Sequence, residues 1–122
     1  MTVTGPDFVA LQVRDVERAA EFYEQRIGLE RVPTAPHGAV VFATAPIPFA
    51  VRSPLPGVVL DDMARPGTGV ALWFHCDDAQ ALHDTLVADG VEIIRPPAPS
   101  PFGLTFTFAD VDGYAVTVHD RA

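Results

Sequence analysis

Residues 8–32, FVALQVRDVERAAEFYEQRIGLERV, have a counterpart in residues 70–94, VALWFHCDDAQALHDTLVADGVEII. Each stretch opens on an apolar run ending at aspartate, continues through a helix-like segment and closes on glycine, Gly28 or Gly90. Identity between the two is low, but the order of features is the same, which marks an internal repeat. In the first run Val9, Leu11 and Val13 alternate with Ala10, Gln12 and Arg14; in the second Leu72, Phe74 and Cys76 alternate with Ala71, Trp73 and His75. A period of two belongs to a strand. Val16, Ala19, Ala20, Tyr23 and Ile27 then recur at helical spacing, as do Ala79, Leu82 and Leu86. Asp15 and Asp78 stand where a carboxylate can accept the first unpaired helix amides, and Asp77 with Gln80 offers an alternative capping box. Gly28 and Gly90 suit the left-handed C-terminal conformation.

Working outward, further strands are expected over residues 30–32, 39–43 and 47–52, and again over 92–94, 104–109 and 114–119. The DVDGY turn before the last strand uses Gly113 for a tight hairpin. The pattern is therefore β-α-β-β-β written twice, an α+β fold within a single domain spanning 1–122. Residues 7–52 form the first module and 70–120 the second. The proline- and glycine-rich stretch 53–69 joins them, with a short helical turn inside it. Pro96, Pro97, Pro99 and Pro101 are expected to stiffen a loop.

Composition narrows the function. The 122 residues are 48% hydrophobic and 20% charged, an ordinary globular balance that needs no staple to fold. No apolar run approaches the ~20 residues of a spanning helix, so no membrane partner is expected. The opening MTVTGPDF has neither a basic start nor an apolar signal core, and a cytoplasmic location is expected. Sixteen acidic residues against eight arginines and no lysine give a net charge of −8. Such a field repels nucleic acid and attracts small cations. Without lysine, Schiff-base and phosphate-loop lysine chemistry are excluded. Cys76, the single cysteine, alternates onto the helix-covered face and is expected to be a buried small hydrophobe.

The segment ALQVRDVERAAEFYEQRIGL and the closing FTFADVDGYAVTVHD together resemble the vicinal oxygen chelate superfamily, which groups glyoxalases, bleomycin-resistance proteins and extradiol dioxygenases. The resemblance runs from Phe8 to about His119. It implies two βαβββ modules forming a curved mixed sheet around a central cleft. It also implies a homodimer, with modules paired within a chain or exchanged between chains. Metal-dependent relatives place histidine and glutamate ligands at equivalent strand positions. Here those positions fall on Phe8, on Ala71 (or Val70 in a shifted register), on Thr117 and near Ala50, which are poor or impossible ligands for a divalent ion. No metal or other cofactor is therefore expected, the alternative being a divalent ion on a relocated pair, His75 and His119.

If Ala71 and Thr117 face the cleft, residues two apart face it too. That adds Trp73, His75 and His119, joined by Phe8, Gln12 and Arg52 from the first module. Trp73 can fill core or stack on a ligand, and Arg52 can clamp a carboxylate or sit in solvent. His37 and His83 are expected on a loop and an exposed helix face, and Asp61–Asp62 in a solvated loop or a cation-attracting rim. The leading function is an antibiotic-sequestering binder of an aromatic or cationic compound, without catalysis. The alternative is a metal-dependent lyase, isomerase or dioxygenase. A third reading has the cleft filled by its own side chains in a structural or regulatory protein.

Overall fold

The computed structural model describes residues 1–121. Its contacts divide the chain into two compact units, Met1–Asp62 and the residues from Met63 onward, each holding one copy of the repeat. The family-type α+β architecture is realised as two small mixed sheets, one per unit.

In the first unit, β1 (Val9–Gln12) leads into α1 (Val16–Phe22), which continues as a π-helical turn, Tyr23–Ile27. β2 (Ala39–Phe42) and β3 (Phe49–Arg52) follow. The sheet order is β1-β3-β2, with β1 parallel to β3 and β2 antiparallel to it. Asp15 caps α1 by accepting the Arg18 amide at 3.1 Å, and Gly28 closes the turn at φ +86°. Ala19, Ala20 and Tyr23 are fully buried. The Tyr23 ring meets Phe49 edge-on at 5.0 Å and lies 6.2 Å from Phe42, which stacks on Phe49 at 6.0 Å. Rings of this kind cost about 3–5 kcal/mol each when truncated in a close-packed core.

The strand expected over residues 30–32 is reduced to a single bridge, Arg31 opposite Phe42. Two forces stop it. Pro33 has no amide to extend the ladder, and the Arg31 side chain reaches Glu17 at 2.6 Å and Glu24 at 2.7 Å.

The second unit contains β4 (Leu72–His75), α2 (Ala79–Ala88), β5 (Ile93–Ser100), β6 (Gly103–Ala109) and β7 (Ala115–His119). Its order is β4-β7-β6-β5, and β4 runs parallel to β7. Asp78 caps α2 through the Ala81 amide at 3.0 Å. The alternative capping box is not made, because Gln80 donates to Asp84 instead, at 3.0 Å. Leu86 of α2 and Phe106, Phe108, Val116 and Val118 of the sheet are all buried.

Three expectations are corrected in this unit. The proline-rich stretch is strand rather than loop: β5 carries Pro96, Pro97 and Pro99. It can do so because it is an edge strand, where a missing amide need break no ladder bond, and its register shifts twice along β6. His83 is not on an exposed face; its ring packs 5.4 Å from Phe106, with Asp84 2.9 Å from Nδ1. Cys76 is half-buried rather than buried, its sulfur 3.5 Å from the Asp78 carbonyl.

The connecting stretch does contain a helical turn, Leu60–Asp62, with Leu60 buried in the first unit and Asp61 accepting from Arg14 Nε at 2.6 Å. Among the described residues no helix is long and apolar enough to cross a membrane.

The Arg31 staple predicts a pH dependence. The hydrogen bond from Arg31 holds the Glu17 carboxyl below its ordinary range. A carboxyl depressed in the folded state stabilises above its unfolded value of about 4.3, and that contribution is lost as pH falls through the folded value. Arg31→Gln should therefore lower Tm at about pH 7, and the gap from the parent should close as pH falls below about 4. Thermal melts followed by circular dichroism check this; a gap as wide at about pH 3 as at neutrality would contradict it.

Candidate ligand-binding site

In each unit one sheet face lies under the helix and the other is left open. The phase of the strands decides which side chains reach the open face. In the first unit, Ala10 pairs with Ala50 and Gln12 with Arg52, while β2 sets Val41 beside Ala50 and Ala39 beside Arg52. Phe8, half exposed, stands just ahead of β1. Phe8, Ala10, Ala39, Val41, Ala50 and Arg52 line a cavity of about 380 Å³, together with His37 and its turn. That volume lies at the small end of the range for ligand pockets, roughly 300–1,000 Å³. Gln12 takes another part: its side-chain carbonyl accepts the Leu55 amide at 2.7 Å and so fixes the start of the connecting stretch.

In the second unit, Trp73 pairs with Thr117 and His75 with His119. Trp73 is 45% exposed. Its ring lies 5.8 Å from His119 and 5.5 Å, edge-on, from Phe102, and His119 lies 5.4 Å from His75. Thr117 is engaged inside the sheet, its hydroxyl 2.8 Å from that of Thr107. His119 Nδ1 is shut off from solvent and has no hydrogen-bond partner.

The two units are equivalent residue by residue. Val13 donates to the Arg52 carbonyl and Cys76 to the His119 carbonyl, both at 2.9 Å. Gln12 thus corresponds to His75, Arg52 to His119, Ala10 to Trp73 and Ala50 to Thr117. The structure brings Phe8 and Arg52 together in one unit, and Trp73, His75, Thr117 and His119 in the other.

These positions do not fit a metal centre of the kind the family resemblance implies. Phe8, Ala50 and Ala71 have no side-chain donor, and the Thr117 hydroxyl is held by Thr107. Among the described residues no three histidine, cysteine, aspartate or glutamate side chains group closely enough to hold an ion.

Two residues were not singled out from the sequence for this role. His37 lines the first cavity because the turn from Pro36 to Ala39 carries it there. Phe102 lies at the β5–β6 hairpin, 55% exposed against Trp73. The available signal was an aromatic residue beside a turn glycine, Phe102-Gly103.

The sequence profile described as the Glyoxalase/Bleomycin resistance protein/Dioxygenase superfamily matches residues 5–118. The chain belongs to this superfamily. Among solved structures, an antibiotic binding protein, TnmS3, from Streptomyces sp. CB03234 is 21% identical with a TM-score of 0.77, over 100% of this chain and 99% of its own. The fosfomycin resistance protein FosX from Mesorhizobium loti is 21% identical with a TM-score of 0.70, over 99% and 95% of the two chains. A lactoylglutathione lyase from Agrobacterium tumefaciens is 20% identical with a TM-score of 0.69, over 98% and 95%. At such identities the likeness is one of fold, and this superfamily fold carries both resistance proteins and an enzyme. No curated protein matches the sequence.

The hairpin that presents Phe102 is tightly specified. Ser100 Oγ donates to the Gly103 carbonyl at 2.8 Å and accepts the Phe102 amide at 3.0 Å; Arg121 donates its amide to the Phe102 carbonyl at 3.1 Å. Gly103 sits at φ +87°, and a Cβ there would collide with the Asp120 carboxylate and lie 2.9 Å from the Arg121 amide nitrogen. Gly103→Ala should therefore cost about 1–3 kcal/mol in urea unfolding and shift the emission of Trp73 as Phe102 is displaced. An unchanged midpoint and spectrum would contradict this account of the hairpin.

Proposed function

We propose that the chain is a binding protein that sequesters an aromatic, antibiotic-like compound without turning it over. One observation carries this reading: two half-exposed aromatic rings, Trp73 and Phe102, flank His119 on the open face of the second unit. A soluble domain gains nothing in folding from leaving such rings in water, and ligand stacking is the physical use for them. Each stacking contact contributes about 0.5–1.5 kcal/mol beyond burial, so several must act together. His75 and His119, their rings 5.4 Å apart, would orient the polar edge of the ligand. Superfamily membership and the fold shared with an antibiotic binding protein support the same reading. The net charge of −8 favours a compound that is neutral or cationic at this face.

A second reading has support in the closeness of His75 and His119, 5.4 Å between ring centres. It is a metal-dependent lyase, isomerase or dioxygenase with its ligands moved to that pair.

Trp73 is the single tryptophan, so its fluorescence reports on the face directly. Titration with planar aromatic compounds, acridine and proflavine among them, should quench it saturably. Phe102→Ala should weaken the best binder by ~10-fold, about 1.4 kcal/mol. Absence of quenching across the panel would count against sequestration at this face. A stoichiometric divalent ion in the purified protein, lost on His75→Ala, would replace the leading reading with the enzymatic one.

The protein is further proposed to act as a homodimer in the cytoplasm. Its short sheets leave unpaired edges, which self-association can cover. Light scattering is expected to give twice the chain mass; a particle of 13.1 kDa would rule the dimer out.

A further inference from the structure

The first unit's cavity has an electrostatic character opposite to that of the chain as a whole. Across 122 residues acidic side chains outnumber arginines by sixteen to eight, yet no acidic residue lines this cavity. Its only formally charged side chain is Arg52. Three other arginines pair with carboxylates: Arg14 with Asp61, Arg31 with Glu17 and Glu24, and Arg65 with Glu92. Arg52 has none. Its Nε donates to the Ser53 carbonyl at 3.0 Å, and among the described residues its two terminal nitrogens have no partner.

The surroundings hold that guanidinium in place. β3 pairs Arg52 with Gln12 on one side and Ala39 on the other. Beyond the strand, the Ser53 amide donates to the Gly38 carbonyl at 2.9 Å, and Ala39 donates to the Pro36 carbonyl at 3.2 Å. These bonds tie the turn that carries His37 to the end of β3, so that His37 and Arg52 line the same cavity. Among the described residues the His37 side chain likewise has no hydrogen-bond partner. The remaining walls are apolar: Phe8, Ala10, Val41 and Ala50. A half-buried guanidinium with two open donors, beside an imidazole and over an apolar floor, has the chemistry of a carboxylate clamp with a hydrophobic slot behind it.

We propose that this cavity is an anion-binding site for the carboxylate of a small aromatic acid. The carboxylate accepts both terminal nitrogens of Arg52, His37 supplies a further donor, and the ring lies over Ala10, Val41 and Ala50 against Phe8. The site is built wholly within the first unit and does not rest on the aromatic face of the second. Binding here is the local exception to a field that otherwise repels anions. The absence of acidic neighbours and the apolar walls make a paired carboxylate more favourable in the cavity than on the open surface.

The test uses naphthoate and its neutral isostere naphthamide, titrated into the 122-residue chain by calorimetry. Naphthoate should bind at least ~10-fold more tightly than naphthamide, a difference of about 1.4 kcal/mol. Arg52→Gln should erase that preference, chiefly by weakening naphthoate, whereas Arg52→Lys should retain part of it. Phe8→Ala should weaken both compounds equally, because it removes the apolar wall and not the charge. Equal affinities for acid and amide in the unmodified protein would overturn the proposal. So would a preference that survives Arg52→Gln, or no saturable naphthoate binding up to ~10 mM. Because the acid-to-amide comparison is made on the parent protein, the result stands even if a variant fails to fold. Failure here leaves Trp73 quenching untouched, and the reverse holds as well.

Discussion

Val13 donates its amide to the Arg52 carbonyl, and Cys76 donates its amide to the His119 carbonyl, each at 2.9 Å. These two bonds close the parallel ladders β1–β3 and β4–β7, and the parallel pairing sets the phase of every residue that matters in either unit. A strand has only two faces, so a slip of one residue would exchange all of them. With the observed phase, Val51, Val116 and Val118 lie buried, while Arg52, Trp73 and His119 are left with access to the open faces.

The duplicated modules have diverged on those open faces and stayed alike beneath them. Both units cap their helix with aspartate, end it with a left-handed glycine and cover the sheet with small and aromatic side chains. On the open side, the first unit carries a small apolar cavity with an unpaired guanidinium, and the second carries a cluster of two aromatics and two histidines. Among the described residues no three histidine, cysteine, aspartate or glutamate side chains group on either face. What differs between them is chemistry: a directional charge in one unit and ring area in the other.

Much of the fold was legible in the chain because local physics speaks clearly there. Alternation located β1 and β4, helical spacing located α1 and α2, and the DVDGY turn located the last hairpin. The errors share one cause, which is that tertiary position overrode local preference. Prolines argue against a strand unless it lies at an edge, and only the sheet order reveals that β5 does. Residues 30–32 looked extended, yet Arg31 is claimed by two glutamates on α1 and its π-helical continuation. His83 looked exposed because a histidine among polar residues carries no sign of the Phe106 ring beneath it.

The sequence by itself determined the repeat, the α+β class and which side chains stand at each strand position, because each follows from periodicity or from the identity of a single residue, whereas the strand phase was settled by the parallel ladders. Only the tertiary structure decided what those side chains meet: that Gln12 is spent on the Leu55 amide, that Thr117 is bound to Thr107, that Phe102 stands against Trp73, and that Arg52 has no carboxylate. The reason is that a hydrogen-bond partner or a ring contact across 10 to 43 residues of chain is set by how strands and hairpins come together, which no local pattern encodes.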